Sequence, residues 1–164
     1  MKTVSCAFVT LVAGAALAAC SPRAGDSAAC LAAAQATHEE GVRAALSGEN
    51  AKAIPLLSKA VDAFGSCRDR VSGADRAQAS YRRALSLMNE SVALGAAGDA
   101  RACAVAEEWV AELRRLADDP AADIPSSLQV ADGTAHAQSI KREAALLGGA
   151  LTAKSGLCRR TAGR

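Results

Sequence analysis

Residues 39–64 read EEGVRAALSGENAKAIPLLSKAVDAF and contain the pattern that decides the fold. Upstream of Gly48, small and apolar residues recur at helical spacing and end with Ala45. Downstream of Gly48, a second helical pattern follows at once, and its apolar face consists of Ile54, Leu57, Val61 and Phe64. Because the connection at Gly48 is very short, we expect the two helices to form an antiparallel hairpin.

The composition of the whole chain supports a small helical protein. The chain has 164 residues, of which 51% are apolar and 2% are aromatic, with 19 basic against 17 acidic side chains. This length corresponds to one domain, and the abundance of alanine favours helices over sheets. A formal charge of +2 excludes a strongly basic nucleic-acid-binding protein, and the composition excludes collagen-like and low-complexity chains.

Three more helices are predicted after the hairpin. The third opens between Ser72 and Asp75, the fourth follows Gly98-Asp99, and the fifth is capped by Asp132 or Thr134. The expected fold is therefore all-α, with antiparallel helical hairpins and about five helices. The predicted parts are helical hairpins over residues 27–117, a loop over 118–133 that is either ordered or a linker, and a C-terminal packing helix with a basic tail over 134–164.

The first twenty residues have the pattern of an export signal. Met1 and Lys2 give a positive start, and the apolar run from Val4 to Leu17 is too short to span a bilayer. This run ends in Leu17-Ala18-Ala19-Cys20, which resembles the lipobox of bacterial lipoproteins, in which the cysteine is acylated. Ordinary secretion is the alternative, since Ala16-Leu17-Ala18 also fits a signal-peptidase site.

The lipobox resemblance implies a location for the mature chain. Residues 1–19 are expected to be a signal peptide that is removed, and residues 20–26 an acylated anchor and tether at the membrane. Ser21 after the cysteine is similar to the residue found in lipoproteins of the Gram-negative outer membrane, where the domain would face the periplasm. A secreted or soluble periplasmic protein is the alternative location.

Four cysteines remain after Cys6 and Cys20 are set aside, and an even number in an oxidising compartment predicts two disulfides. Three connectivities exist for four cysteines. Cys30 and Cys67 lie at nearly equal distances on either side of Gly48, so the two arms of the hairpin bring them to the same height. We therefore pair Cys30 with Cys67, which leaves Cys103 for Cys158.

The first hairpin carries small or apolar residues at Gly41, Gly48, Ala53, Leu57 and Ala60. This arrangement resembles a tetratricopeptide (TPR) unit, in which such residues lie where helices approach closely. A weaker match recurs at Gly98-Asp99 with Cys103. The interval between the two matches is longer than the repeat length typical of the family, which is about 34 residues. The resemblance implies a concave surface that binds a peptide or protein. The residues that it places on this surface are His38, Glu39, Arg43, Tyr81 and Arg82.

No motif for catalysis or metal binding occurs in the sequence. The stretch from His38 to Val42 lacks the second histidine of a zinc protease helix, and no nucleophile elbow, P-loop or dinucleotide-binding glycine pattern is found. His38 falls on an apolar stripe, which is typical of a partly buried histidine that bonds to a neighbour. Trp109 likewise fits a core position better than a partner-binding one. We expect no enzyme activity, no cofactor and no metal.

These observations predict a non-catalytic lipoprotein of the cell envelope that presents a helical-repeat surface to another envelope protein. Its expected partners are the membrane, through the lipid anchor, and that protein, but not nucleic acid. An immunity or small-ligand-binding periplasmic lipoprotein is the alternative, and an envelope hydrolase is a remote alternative because neither a polarised nucleophile nor a metal-bound water is evident.

Overall fold

The computed structural model of the chain describes residues 24–124, 139–142 and 144–145. Four long helices account for most of this part, with a short 3-10 helix after the fourth and helical residues again from Ile140. The described residues contain no β-strand, so the all-α prediction is confirmed. The elements are α1 (Ala24–Leu46), α2 (Asn50–Arg68), α3 (Gly73–Ala96), α4 (Ala102–Asp118) and the 3-10 helix η1 (Pro120–Ala122).

The helices pack in the order in which they follow one another along the chain. Helix α1 packs against α2, α2 against α3, and α3 against α4. Helix α3 also contacts α1 and η1, so it is the central element and is covered on several sides. Short connections between successive helices make this antiparallel arrangement the simplest one to form.

Two matching turns set the ends of the α1–α2 and α3–α4 hairpins. Gly48 and Gly98 have φ angles of 76° and 71°, which favour glycine over residues that carry a Cβ. The amide of Glu49 donates to the carbonyl of Ala44 at 2.9 Å, and the amide of Asp99 donates to that of Leu94 at the same distance. The amide of each glycine also donates a hydrogen bond to the carbonyl three residues before it. Together these bonds satisfy the last carbonyls of α1 and α3 in a Schellman motif.

Helices α1 and α2 approach each other most closely at Gly41, which is buried. A Cβ atom at this position would lie 2.8 Å from Cγ of Leu57 and 3.2 Å from its backbone nitrogen. Leu57 is itself fully buried, between Ala53 and Ala60. Only a residue without a side chain therefore fits on α1 at this point of the interface.

A disulfide joins α1 to α2 at the end of the hairpin opposite the turn. It links Cys30 with Cys67, whose Cα atoms are 5.9 Å apart, as the hairpin geometry predicts. The helix continues past Gly65 to Arg68, so Cys67 is a helical residue and is buried beside Phe64. Closing a loop of this length contributes roughly 4 kcal/mol in the chain-entropy estimate.

The second predicted disulfide is not found in the structure. Cys103 is a partly exposed free thiol, and Cys158 lies outside the described residues. The part of the chain described by the structure therefore has one disulfide rather than two. The first pairing followed from the rise along two neighbouring helices, whereas Cys103 was assigned to Cys158 only by elimination, which carries no geometric information.

The largest core cluster lies between α3 and α4. Tyr81, Leu113 and Leu116 are buried there together with small residues of α3, and Trp109 packs against them, as a core position predicts. Ile140 and Ala144 from the predicted C-terminal packing helix are fully buried in the same cluster. The described residues around Ile140 therefore dock on the α3–α4 hairpin.

Several predicted boundaries differ from the structure. Helix α1 begins at Ala24, so the last three residues of the predicted 20–26 tether are helical, as a run with several alanines allows. The predicted caps, Asp132 and Thr134, lie outside the described residues, and the Ser139 hydroxyl accepts a hydrogen bond from the amide of Arg142. The predicted 118–133 loop contains η1, and its residues from 125 onward lie outside the described part.

Candidate functional site on the α1–α3 face

A groove of about 210 Å³ runs between α1 and α3, and we call its lining and rim the α1–α3 face. Part of Phe64 on α2 reaches this groove, with Leu31 and Ala32 on α1 beside it. Polar side chains from both helices complete the lining. The full set is Leu31, Ala32, Gln35, Phe64, Gln78 and Arg82.

Gln35 connects the two sides of the groove. Its amide nitrogen donates to Oε1 of Glu39 at 2.8 Å, and its amide oxygen accepts from Nη1 of Arg82 at 2.9 Å. The first bond joins residues four apart on α1, which face the same side of a helix. The second crosses from α3 to α1. Together they orient a negative and a positive side chain on one face of the molecule.

His38 is half-buried beneath this network. Its Nδ1 lies 2.9 Å from Oγ of Ser86, and the same hydroxyl lies 3.0 Å from the backbone oxygen of Arg82. Because a hydroxyl has one hydrogen, donation to that carbonyl requires Nδ1 of the histidine to be the donor in the other bond. The ring also makes an edge contact with Phe64, with ring centroids 6.5 Å apart.

The surroundings of His38 favour its neutral form. Burial is the main cause that lowers the pKa of the imidazole, and the positive charge of Arg82 lowers it further. The charge of Glu39 acts in the opposite direction without reversing the shift. His38 thus acts as a neutral hydrogen-bonding link between α1 and α3, as the sequence pattern of a partly buried histidine predicts.

Four of the five residues predicted to bind a partner lie at or near the surface. Arg82 lines the groove, and Glu39 is exposed beside it. His38 is half-buried, and Arg43 is exposed in the last turn of α1.

Tyr81 does not fit the partner-binding prediction. Its exposed fraction is 0%, and its ring lies in the α3–α4 core. A side chain with no accessible surface cannot contact a partner in the folded protein. Helix α3 packs against α2, α4 and α1, so consecutive positions on it face different neighbours, and Arg82 turns to the groove while Tyr81 turns to the core.

Sequence reasoning missed Gln35 and Gln78. Both lie on the wall of the groove, one on each of its two helices. The spacing of four between Gln35 and Glu39 was a signal that could have indicated a hydrogen bond on the surface of α1. No local signal identifies Gln78, because its place depends on how α1 packs against α3.

Within residues 24–124 and the short piece near residue 140, no cluster of three or more histidine, cysteine or acidic side chains has a geometry that could hold a metal ion. In the same residues, no helix combines the length and the apolar character needed to cross a membrane. Comparisons with protein-family models, with curated proteins and with solved structures found no match to the chain.

Proposed function

We propose that this chain is a non-catalytic lipoprotein of the bacterial cell envelope that presents a TPR-like helical surface to a protein partner. The observation that carries the proposal is the α1–α3 face, where the first helices of two successive hairpins form one groove. In helical-repeat proteins, the equivalent helices line the concave binding surface. The matching turns at Gly48 and Gly98 and the close approach at Gly41 support a repeat-like construction.

The size and chemistry of the groove favour a peptide or protein over a small molecule. Its volume of about 210 Å³ is below the roughly 300 Å³ at which drug-sized ligand sites begin. The groove combines the apolar side chains of Leu31 and Phe64 with the polar ends of Gln35 and Arg82. Such a surface suits one apolar side chain of a partner, surrounded by hydrogen bonds at the rim.

The proposed location follows from the signal sequence and from the disulfide. The lipobox at Cys20 predicts acylation, and Ser21 predicts transfer to the outer membrane, with the domain facing the periplasm. Disulfides such as Cys30–Cys67 persist in oxidising compartments and are rare in the cytosol. An exported chain therefore accounts for both features.

The partner is tested by affinity purification of the full chain from detergent-solubilised membranes, with quantitative mass spectrometry. Arg82→Glu reverses a charge in the groove and removes the hydrogen bond to Gln35, so we expect it to abolish co-purification of the partner. Arg70→Glu makes the same charge change at an exposed site after α2 and is the matched control. Equal recovery of partners with both variants, or with neither, would contradict a function for this face.

The anchor is tested separately by mass spectrometry of the mature protein. We expect an amino-terminal Cys20 that carries a diacylglycerol thioether, and Cys20→Ala is expected to release the chain from membranes or to stop its processing. An unmodified amino terminus after Ala18 would instead identify an ordinary secreted protein. This result would leave the binding face untouched.

A further inference from the structure

A second, larger cleft lies among α2, α3, α4 and η1 and shares no lining residue with the α1–α3 groove. Its volume is about 510 Å³. Three arginines line it, Arg68 from α2, Arg76 from α3 and Arg115 from α4, and we call it the arginine cleft. The hydroxyl-bearing Ser80 and two acidic residues, Glu112 and Asp119, belong to the same lining.

Glu112 is the centre of an ion-pair network beside the cleft. Its side chain is 2% exposed, and both of its carboxylate oxygens are occupied. Oε1 accepts from Arg68 at 3.3 Å, while Oε2 accepts from Arg83 at 3.1 Å and from Arg115 at 3.0 Å. One buried negative charge is therefore surrounded by three guanidinium groups. In the described residues, only two of these groups have a second acidic partner: Arg83 pairs with Glu108, and Arg68 pairs with Asp69.

Two arginines of the cleft, Arg76 and Arg115, have few partners among the described residues. The side chain of Arg115 is 70% exposed, and Glu112 is its only acidic partner among the residues that the structure describes. Arg76 is exposed and has no ion pair within the same residues. The other acid in the lining, Asp119, uses Oδ1 to accept the amide of Ala121 at 2.8 Å. Each guanidinium carries five N–H donors, so most of those on Arg76 and Arg115 lack an acceptor among the residues that the structure describes.

We propose that the arginine cleft binds a phosphate-type oxyanion. The three arginines belong to three different helices, so they border the cleft from different sides. A tetrahedral oxyanion offers acceptors in several directions and matches this arrangement, whereas a planar carboxylate matches a single guanidinium best. The start of α3 at Gly73 also borders the cleft, and helix amino termini favour anions. The proposal rests on these residues alone and does not depend on the function assigned to the α1–α3 face.

The test is a titration of the full chain, in detergent, with inorganic phosphate, followed by isothermal calorimetry and by amide NMR shifts. We expect saturable binding that weakens as sodium chloride is added. Arg76→Ala and Arg115→Ala are each expected to weaken binding about tenfold, the usual effect of losing a charge-assisted hydrogen bond. Lys59→Ala removes an exposed positive charge of α2 outside both clefts and should leave the affinity unchanged.

Competition distinguishes the two sources of such a phosphate. Displacement of phosphate by a short-chain phosphatidylglycerol identifies a lipid headgroup as the ligand, and retention of phosphate against that lipid identifies a free anion. Circular dichroism of each variant shows whether it has folded. Absence of saturable phosphate binding in the wild-type chain, or an equal loss in the Lys59→Ala control, would overturn the proposal.

Discussion

The α1–α2 and α3–α4 hairpins share one turn geometry but are held together by different interactions. In the first, Gly41 allows the helices to approach closely, and the Cys30–Cys67 disulfide joins their far ends. In the second, large side chains such as Tyr81 and Leu113 fill the interface, and Glu112 draws in arginines from three helices. The turn thus fixes the topology of a hairpin, while the residues along its arms decide how it is stabilised.

The two hairpins also differ immediately after their turns. Helix α2 begins at Asn50, next to the turn, whereas α4 begins later, at Ala102. In the second hairpin, the Asp99 carboxylate accepts the side chain and the amide of Arg101, and these bonds lower the pKa of Asp99 to about 2. An acidic residue follows the glycine in both turns. Among the described residues, the one in the second turn, Asp99, forms an ion pair with a neighbouring arginine, and the one in the first turn does not.

The largest expected effect comes from the disulfide of the first hairpin. Reduction, or the double change Cys30→Ala and Cys67→Ala, is expected to lower the free energy of unfolding by about 4 kcal/mol, because the unfolded chain regains the entropy of the open loop. Urea titration with and without dithiothreitol measures the change. Cys103→Ser is the control, and a smaller dithiothreitol effect in that variant would show that Cys103 also takes part in a bridge.

The ion-pair network of the second hairpin should give the next largest effect. Glu112→Leu leaves Arg68, Arg83 and Arg115 without their shared acceptor, so we expect a loss of about 3 kcal/mol in urea titration. Glu107→Leu, on an exposed position of α4, is the matched control and should change stability by less than about 0.5 kcal/mol. If both variants were equally stable, the network would contribute nothing measurable to the second hairpin.

A pair of glycine substitutions compares a closely packed position of the first hairpin with an open position of the second. Gly41→Ala places a Cβ against Leu57, so we expect it to destabilise the protein by about 1 to 2 kcal/mol despite the better helix propensity of alanine. Gly95→Ala, near the end of α3, meets nothing within 4 Å and should stabilise the protein by up to about 1 kcal/mol. Thermal unfolding of both variants measures the difference, and a stabilised Gly41→Ala protein would show that the first hairpin is not closely packed.

The smallest effect concerns Glu90, a buried residue of α3 where the hairpins meet. Burial is the main cause that raises the pKa of its carboxyl group, opposed in part by a hydrogen bond to Ser58 on α2. Since the folded pKa lies above the unfolded one, this group lowers stability as the pH rises through the folded pKa. Glu90→Gln should therefore stabilise the protein at pH 7, and its advantage over the wild type in urea titration should shrink towards pH 4. An advantage that stayed constant with pH would mean that ionisation of Glu90 is not responsible.

Local patterns in the sequence predicted the features that depend on neighbouring residues. Gly48 and Gly98 marked both turns, because a left-handed backbone conformation favours glycine wherever it occurs. The Cys30–Cys67 pairing followed from the rise of two antiparallel helices joined by a short turn.

Features that depend on which helices surround α3 could not be predicted in this way. Tyr81, for example, is predicted to lie on the binding surface but is fully buried. The network at Glu112 joins residues up to 44 positions apart, so its charges look like ordinary surface charges in the sequence. Of the residues that line the groove, the sequence therefore predicted only Arg82 as part of a binding surface, whereas Gln35 was missed and Gln78 required the packing of α1 on α3.

The covalent link between Cys30 and Cys67 also determines how a mechanical load travels through the molecule. A pulling force on the amino-terminal end can unwind α1 only from Ala24 as far as Cys30. There the tension passes through the sulfur atoms into the last turn of α2, and the segment between the two cysteines carries none of it. Leu31, Gln35 and Phe64 in the groove lie within this shielded segment, so their geometry withstands a pull on the amino-terminal end.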